Sequence, residues 1–301
     1  MRFGVEIEIN AFDGRDFLSN PLLPGELPSG AEQVASLVSG LGKEVQCHGW
    51  KNNHNNTVWI CKPDASCGLE LCSPVLEDSD IGEVADVMDA LQGDERVVCG
   101  DSCAFHVHVD VSDLVDGNPE CSDRLCSVLS WWIKSEAVFI DAMPDCRKDS
   151  RFCRCIGFTD LIGHDDKPIP CLVINKLRDK YLTVNTHHLV SKKRNSIEFR
   201  LLEGTKDASV AVPWVSLILN FVQTASSIAV PEDYRWLERD EVFKMFLTTE
   251  GRGWMERRTR QNRPKKSSRF WLVRDSAAEK YSDERVFFGR TSSFIESPGD
   301  T

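Results

Sequence analysis

The 301-residue chain carries 36 Lys and Arg against 47 Asp and Glu, a formal net charge of -11. That balance excludes a protein devoted to coating polyanions and a polybasic membrane binder. With 41% hydrophobic residues the chain can bury a substantial core in one large or two small domains, which excludes disorder of the whole.

The opening residues, Met1-Arg2-Phe3-Gly4-Val5-Glu6, pass at once into alternation with no apolar leader, so a cytoplasmic location is expected. Phe3, Val5, Ile7 and Ile9 alternate with Gly4, Glu6, Glu8 and Asn10, the period of a strand with one apolar face. Glu6 and Glu8 then project from the other face roughly 7 Å apart. On an exposed edge such a pair is ordinary; on a buried one the two anions call for a compensating cation. Gly14 to Gly30, rich in Pro, Gly and Ser, reads as a loop or lid over whatever that strand presents.

Leu69 and Leu71 alternate with Gly68, Glu70 and Cys72, placing a carboxylate in an apolar strand where it needs a partner. Ile81, Val84, Val87, Met88 and Leu91 then recur at helical spacing. A third strand follows, in which Phe105, Val107, Val109 and Val111 alternate with His106, His108 and Asp110. Two imidazoles on one face point to metal or phosphate contacts, with a structural role for each left open, and Asp110 can serve as an acceptor behind them. Leu125, Val128, Leu129, Trp132, Ile133, Phe139 and Ile140 describe a helix capped by Ser122.

Cys146, Cys153, Cys155 and Cys171 offer four thiols but no paired CxxC knuckles, so reduced thiols are expected and a zinc site stays an alternative. In the last strand Ile197, Phe199 and Leu201 alternate with Glu198 and Arg200, a carboxylate beside a guanidinium able to grip phosphate bidentately. A plain intra-strand ion pair is the other reading. A helix is expected to begin near Pro213 and run through Trp214, Leu217, Ile218, Phe221 and Val222, with a further helix over Leu237 to Leu247. Polar residues from Asn220 to Ser227 interrupt the apolar run of Val210 to Val230, so no membrane span is expected. Arg252 to Arg269 holds eight basic residues against Glu256 and reads either as an arm for nucleic acid or an acidic partner, or as a solvated loop.

Strands separated by helices and long loops, without regular βαβ spacing, predict an α+β fold with a largely antiparallel sheet covered on one face by helices. Residues 1–230 are expected to form the catalytic unit and 231–301 a C-terminal helical extension with the basic arm. Glutamates on three strands and histidines on a fourth make an oxygen-rich set suited to Mg2+ rather than zinc. There is no GxxxxGK[ST] loop and no GxGxxG turn, so a nucleotide would have to be cradled by the sheet itself.

Phe3-Gly4-Val5-Glu6-Ile7-Glu8, Asp64-Ala65-Ser66 leading to Gly68-Leu69-Glu70-Leu71-Cys72-Ser73-Pro74, Cys99-Gly100 before His106-Val107-His108-Val109, Lys180-Tyr181 with Asn185, and Asn195-Ser196-Ile197-Glu198-Phe199-Arg200 together resemble the amidoligase family. That family is similar in fold to glutamine synthetase and glutamate-cysteine ligase. The resemblance implies a curved antiparallel sheet of the glutamine synthetase-like catalytic type. It also implies an ATP-dependent carboxylate-amine ligase that phosphorylates a small-molecule or peptide carboxylate and lets an amine displace the phosphate, forming an amide or isopeptide bond.

By the same resemblance Glu6, Glu8, Glu70, His106 and Glu198 are ligands for Mg2+ or Mn2+, His108 and Lys180 lie near ATP, and Arg200 stabilises the transferring phosphoryl group. Glu8, Glu198 and Arg200 form the implied catalytic set, with Tyr181 and Asn185 at the substrate. Lys180 stands where the family has Arg, and Ala104 where it commonly has Gly. Two other functions remain: a metal-dependent hydrolase using the same Glu and His residues, and a non-catalytic binder acting through the basic arm.

Overall fold

A computed structural model describes residues 1–14, 22–23, 25–50, 57–115, 122–148, 150–156, 177–230 and 237–262. Its strands are β1 (Arg2–Asn10), β2 (Val45–Cys47), β3 (Trp59–Asp64), β4 (Gly68–Cys72), β5 (Leu76–Glu77), β6 (Ala104–Asp110), β7 (Val184–Asn185) and β8 (Ser196–Glu203). They form one sheet in the order β2-β3-β4-β1-β6-β8-β7, with β5 also paired to β1. All of these pairings are antiparallel except that of β2 with β3. The α+β architecture expected from the sequence is therefore the one observed.

Alternation along each strand sends one row into the core. Phe3, Val5, Ile7, Ile9, Leu69, Leu71, Phe105, Val107, Val109, Ile197 and Phe199 are all buried in a single cluster with the helices. Those helices are α1 (Ala31–Ser39), α2 (Ile81–Gln92), α3 (Asp123–Asp141), α4 (Asp145–Lys148), α5 (His187–Val190), α6 (Ala208–Ala225), α7 (Arg239–Phe246) and α8 (Thr249–Gln261). Ser122 caps α3 as expected, its Oγ accepting from Leu125 N at 3.2 Å. Trp132 on α3 then ties the layers together, with ring centroids 4.9 Å from Phe139, 4.8 Å from Phe199 of β8 and 5.5 Å from Phe221 of α6.

Two helices differ from the sequence reading. α6 begins at Ala208 rather than near Pro213, because Asp207 caps it by accepting from Ser209 N at 2.8 Å. Pro213 lies inside the helix, where its ring removes one backbone donor. α6 is long and apolar enough to cross a membrane, but half of that window is buried in the fold, as befits a core helix packed against α2, α3, α7 and α8. α8 covers much of the stretch read as a basic arm. Its Gly251, Trp254 and Met255 are buried, and Arg258 forms an ion pair with Glu203. Arg263, Lys265, Lys266 and Arg269 lie outside the described residues, as do residues 15–21 and 24 of the expected lid.

β8 also departs from simple alternation. Val107 pairs with Phe199 and Phe105 with Leu202, so one residue of β6, His106, faces two of β8, Arg200 and Leu201. This bulge lets Leu201 and Leu202 both be buried and leaves Arg200 on the side of His106. The buried guanidinium of Arg147 on α4 donates to the carbonyls of Arg200 and, at 3.3 Å, Leu201. Buried backbone acceptors at a bulge need such a partner.

Candidate active site

Strand register assembles the polar face of the sheet. Glu8 lies opposite Glu70 and Glu6 opposite Cys72 across β1 and β4; Lys62 of β3 lies opposite Glu70. On the other side Glu6 faces His106, His108 faces Glu198, and Glu198 faces Asn185 of β7. Directly opposed residues share a face, so five strands deliver one continuous row of ionisable groups, and a sixth, β7, adds the amide of Asn185. Glu8, Glu70, His106 and Glu198 are 3%, 6%, 2% and 3% exposed. Charged groups this deeply buried require partners.

Glu6 is the hub. Its Oε2 is 3.2 Å from His106 Nδ1 and its Oε1 is 3.1 Å from His108 Nε2. Glu198 Oε1 is 3.2 Å from the same His106 nitrogen and pairs with the Arg200 guanidinium, while its Oε2 accepts from Asn185 Nδ2 at 2.8 Å. Glu70 accepts a 2.9 Å ion pair from Lys62 Nζ. Glu8 Oε2 accepts from Ala104 N at 2.7 Å, and its Oε1 is 3.5 Å from His106 Nε2. Asp64 holds the β3–β4 turn, its Oδ1 accepting from Ser66 N at 2.6 Å and Cys67 N at 3.2 Å, and Gly68 closes the turn at φ 107°, a conformation suited to glycine.

Charge compensation along the row is uneven. Burial pushes the Glu6 carboxyl up, but His108, His106 and Lys62 outweigh it and hold Glu6 well below the usual range. Glu198 is likewise held down at about 2, burial being outweighed by Arg200. Glu8 and Glu70 go the other way. Burial raises both well above the ordinary value, reinforced by Asp64 at Glu8 and by Glu6 at Glu70. Burial and then Arg200 lower His106, whereas Glu6 overcomes burial to raise His108.

Two buried carboxylates short of positive charge are what a divalent cation would correct. Single donor atoms of Glu6, His106 and Glu198 lie within 4.8 Å of one another, as do those of Glu6, Glu70 and Cys72 and those of Glu8, Asp64 and Cys67. The first group, carboxylate oxygen with one imidazole, fits a hard divalent ion. The expected metal set is thus brought to one face, with Glu8 grouped toward Asp64 rather than with Glu6.

The remaining expected residues divide. Asn185 is in the row and holds Glu198. Lys180 and Tyr181 are not brought into it: Lys180 is exposed with Nζ 4.9 Å over the Tyr181 ring, and that ring meets Phe152 at 5.6 Å. Cys171 lies outside the described residues. Cys146, Cys153 and Cys155 join none of the ligand groups found among the described residues. Sequence reading missed Lys62, hidden in the apolar run Trp59-Ile60-Cys61, and His188 on the single turn of α5. Burial and His108 lower His188 to about 4.

A cavity of about 300 Å³ opens from the row, lined by Glu6 and His108 together with Arg2, Lys193 and Arg194. Arg2 pairs with Asp110 at 2.6 Å. Cationic side chains beside candidate metal ligands suit an anionic ligand.

Fold and site together define an α+β protein whose largely antiparallel sheet carries a row of carboxylate, imidazole and guanidinium groups on one face. The chain belongs to the amidoligase family: the family model described as "Putative amidoligase enzyme" matches residues 1–222. A search of curated proteins finds no match. Among solved structures the chain is similar to a bifunctional glutathione synthetase from Pasteurella multocida, at 12% identity and a TM-score of 0.35. The match covers 94% of this chain and 50% of that one, so the chain spans about half the length of that synthetase.

Proposed function

We propose that the protein is an ATP-dependent carboxylate-amine ligase of the glutamine synthetase-like kind, forming an amide or isopeptide bond through an acyl phosphate. The observation that supports this best is the convergence of Glu6, Glu70, His106, Glu198 and Arg200 from four adjacent strands. A hydrolase of uncharged amides has little use for a partly buried guanidinium beside such ligands.

A carboxylate is a poor electrophile because its leaving group would be oxide. In the proposed reaction a substrate carboxylate oxygen attacks the γ-phosphorus of ATP, the bond to the β-phosphate oxygen breaks and ADP departs. The amine nitrogen then attacks the acyl carbon, the bond to phosphate breaks, inorganic phosphate leaves and the nitrogen sheds a proton. Mg2+ or Mn2+ held by Glu6, Glu8, Glu70, His106 and Glu198 would neutralise phosphate charge when bound.

The chain's own groups supply the rest. Arg200, fixed by Glu198 and set at the bulge, presents a cation to the transferring oxygens. Asn185 holds Glu198 in place. Arg2, Lys193 and Arg194 draw an anionic substrate or nucleotide toward Glu6 and His108. The catalytic unit is proposed to span residues 1–230, with 231–301 an extension whose described helices pack on α6.

The test is incubation with ATP, Mg2+, a panel of carboxylates and hydroxylamine. Hydroxamate formed with ADP and phosphate is the expected result. AMP with pyrophosphate would replace the acyl phosphate by an acyl adenylate, and product formed without nucleotide would overturn the ligase reading in favour of a hydrolase.

A further inference from the structure

One group in the row has chemistry unlike the rest. His108, His188 and Glu198 each offer a donor atom, all within 4.8 Å of one another. His108 comes from β6 and Glu198 from the facing position of β8, while His188 is supplied by α5, which follows β7. The rings of His108 and His188 lie 5.7 Å apart, centroid to centroid. His108 is 7% exposed, and neither of its ring nitrogens makes a well-directed hydrogen bond, although Nε2 is 3.1 Å from Glu6 Oε1. His188 Nδ1 is also buried without a hydrogen bond. Leaving several imidazole nitrogens unsatisfied at one point in a fold is costly, and a metal ion would satisfy one on each ring.

We infer that His108, His188 and Glu198 form a nitrogen-rich site for a divalent transition ion of the zinc and cobalt class, different in chemistry from the oxygen-rich Mg2+ position, with which it shares Glu198. Two imidazoles and one carboxylate match the preference of Zn2+ and Co2+, whereas Mg2+ takes oxygen. Donor atoms around a tetrahedral zinc ion stand about 3.4 Å apart, which follows from bond lengths of about 2.0–2.1 Å. His108 Nε2 and Glu198 Oε1 are 4.0 Å apart, so the site needs only a small closure. Arg200 shares Glu198 Oε1 and Asn185 holds its Oε2, so the carboxylate is oriented before any ion arrives. The inference rests on the ligase reading only for the purpose of the ion, not for its binding.

Full-length protein is stripped with a chelator and titrated with Zn2+ and with Co2+ against a chromophoric competitor, and separately with Mg2+ by thermal unfolding. Four chains are compared: wild type, His188→Ala, His188→Asn, and His187→Ala as a control on the same turn. Wild type and His187→Ala should bind Zn2+ and Co2+ at least about tenfold more tightly than either His188 variant, with Mg2+ stabilisation equal in all four. Equal Zn2+ affinity in the His188 variants, or no Zn2+ binding by wild type, overturns the site. Should the His188 variants fail to fold, histidine-ring 15N resonances of wild type decide: shifts of two rings on adding Zn2+ uphold it, and none overturns it. Zinc binding that persists while the hydroxamate assay fails sinks the ligase reading and leaves the ion site standing.

Discussion

Replacing Glu8 by Gln separates what the row does for stability from what it does for binding. Glu8 is 3% exposed, and burial together with Asp64 raises its pKa well above the ordinary 4.5. A carboxyl whose folded pKa lies above its unfolded value favours folding as pH falls through that folded pKa, and at neutral pH its ionised form opposes folding. Glutamine keeps an acceptor for Ala104 N, now 2.7 Å from Glu8 Oε2, while removing the buried charge. Glu8→Gln is therefore expected to be more stable than wild type in metal-free buffer near pH 7, and this advantage should shrink as pH falls toward 4.5.

Mg2+ should reverse the order. An ion at 100 times its dissociation constant stabilises the native state by about 2.7 kcal/mol, or about 5–10 °C in Tm for a domain of this size. Wild type should gain that amount and Glu8→Gln much less. The assay is thermal unfolding with and without Mg2+ from pH 4.5 to 8. A metal-free variant less stable than wild type, or one that gains as much from Mg2+, would refute the reasoning.

Arg200→Ala leaves Glu198 buried without its cation and should cost about 3–5 kcal/mol in urea unfolding, together with all ligase activity; Arg200→Lys should restore stability in part but not turnover. Arg147→Met strips the donors from the carbonyls of Arg200 and Leu201, at about 1–3 kcal/mol for each acceptor left buried, and should lower kcat by displacing Arg200. Trp132→Ala should cost about 3–5 kcal/mol in chemical denaturation, with KM unchanged in whatever protein remains folded.

Much of the site was legible because a period of two puts chemistry on one face of a strand. Glu6 and Glu8, Glu70, His106 and His108, and Glu198 and Arg200 could be placed on polar rows before their neighbours were known. Pairing was not legible. Which row faces which depends on register, and only the register shows that Glu6 is the hub and that Glu8 turns toward Asp64.

Lys62 was invisible because Trp59, Ile60 and Cys61 are all buried and mask the alternation. His188 sits on one turn of helix with no periodicity to read. The bulge at Arg200 did leave a trace: Leu201-Leu202, two apolar residues in succession at the end of an alternating strand. Residues 252–261 were read from the charge that dominates their composition, while Trp254 and Met255 at the buried face of α8 carry the helical signal.

The most direct measurement is the anomalous scattering of Mn2+ in crystals grown with a non-hydrolysable ATP analogue. Manganese is expected within bonding distance of Glu6, Glu8, Glu70, His106 and Glu198, with triphosphate oxygens on the same ions and Arg200 on the γ-phosphate. Manganese elsewhere on the molecule, or a nucleotide bound away from this face of the sheet, would contradict it.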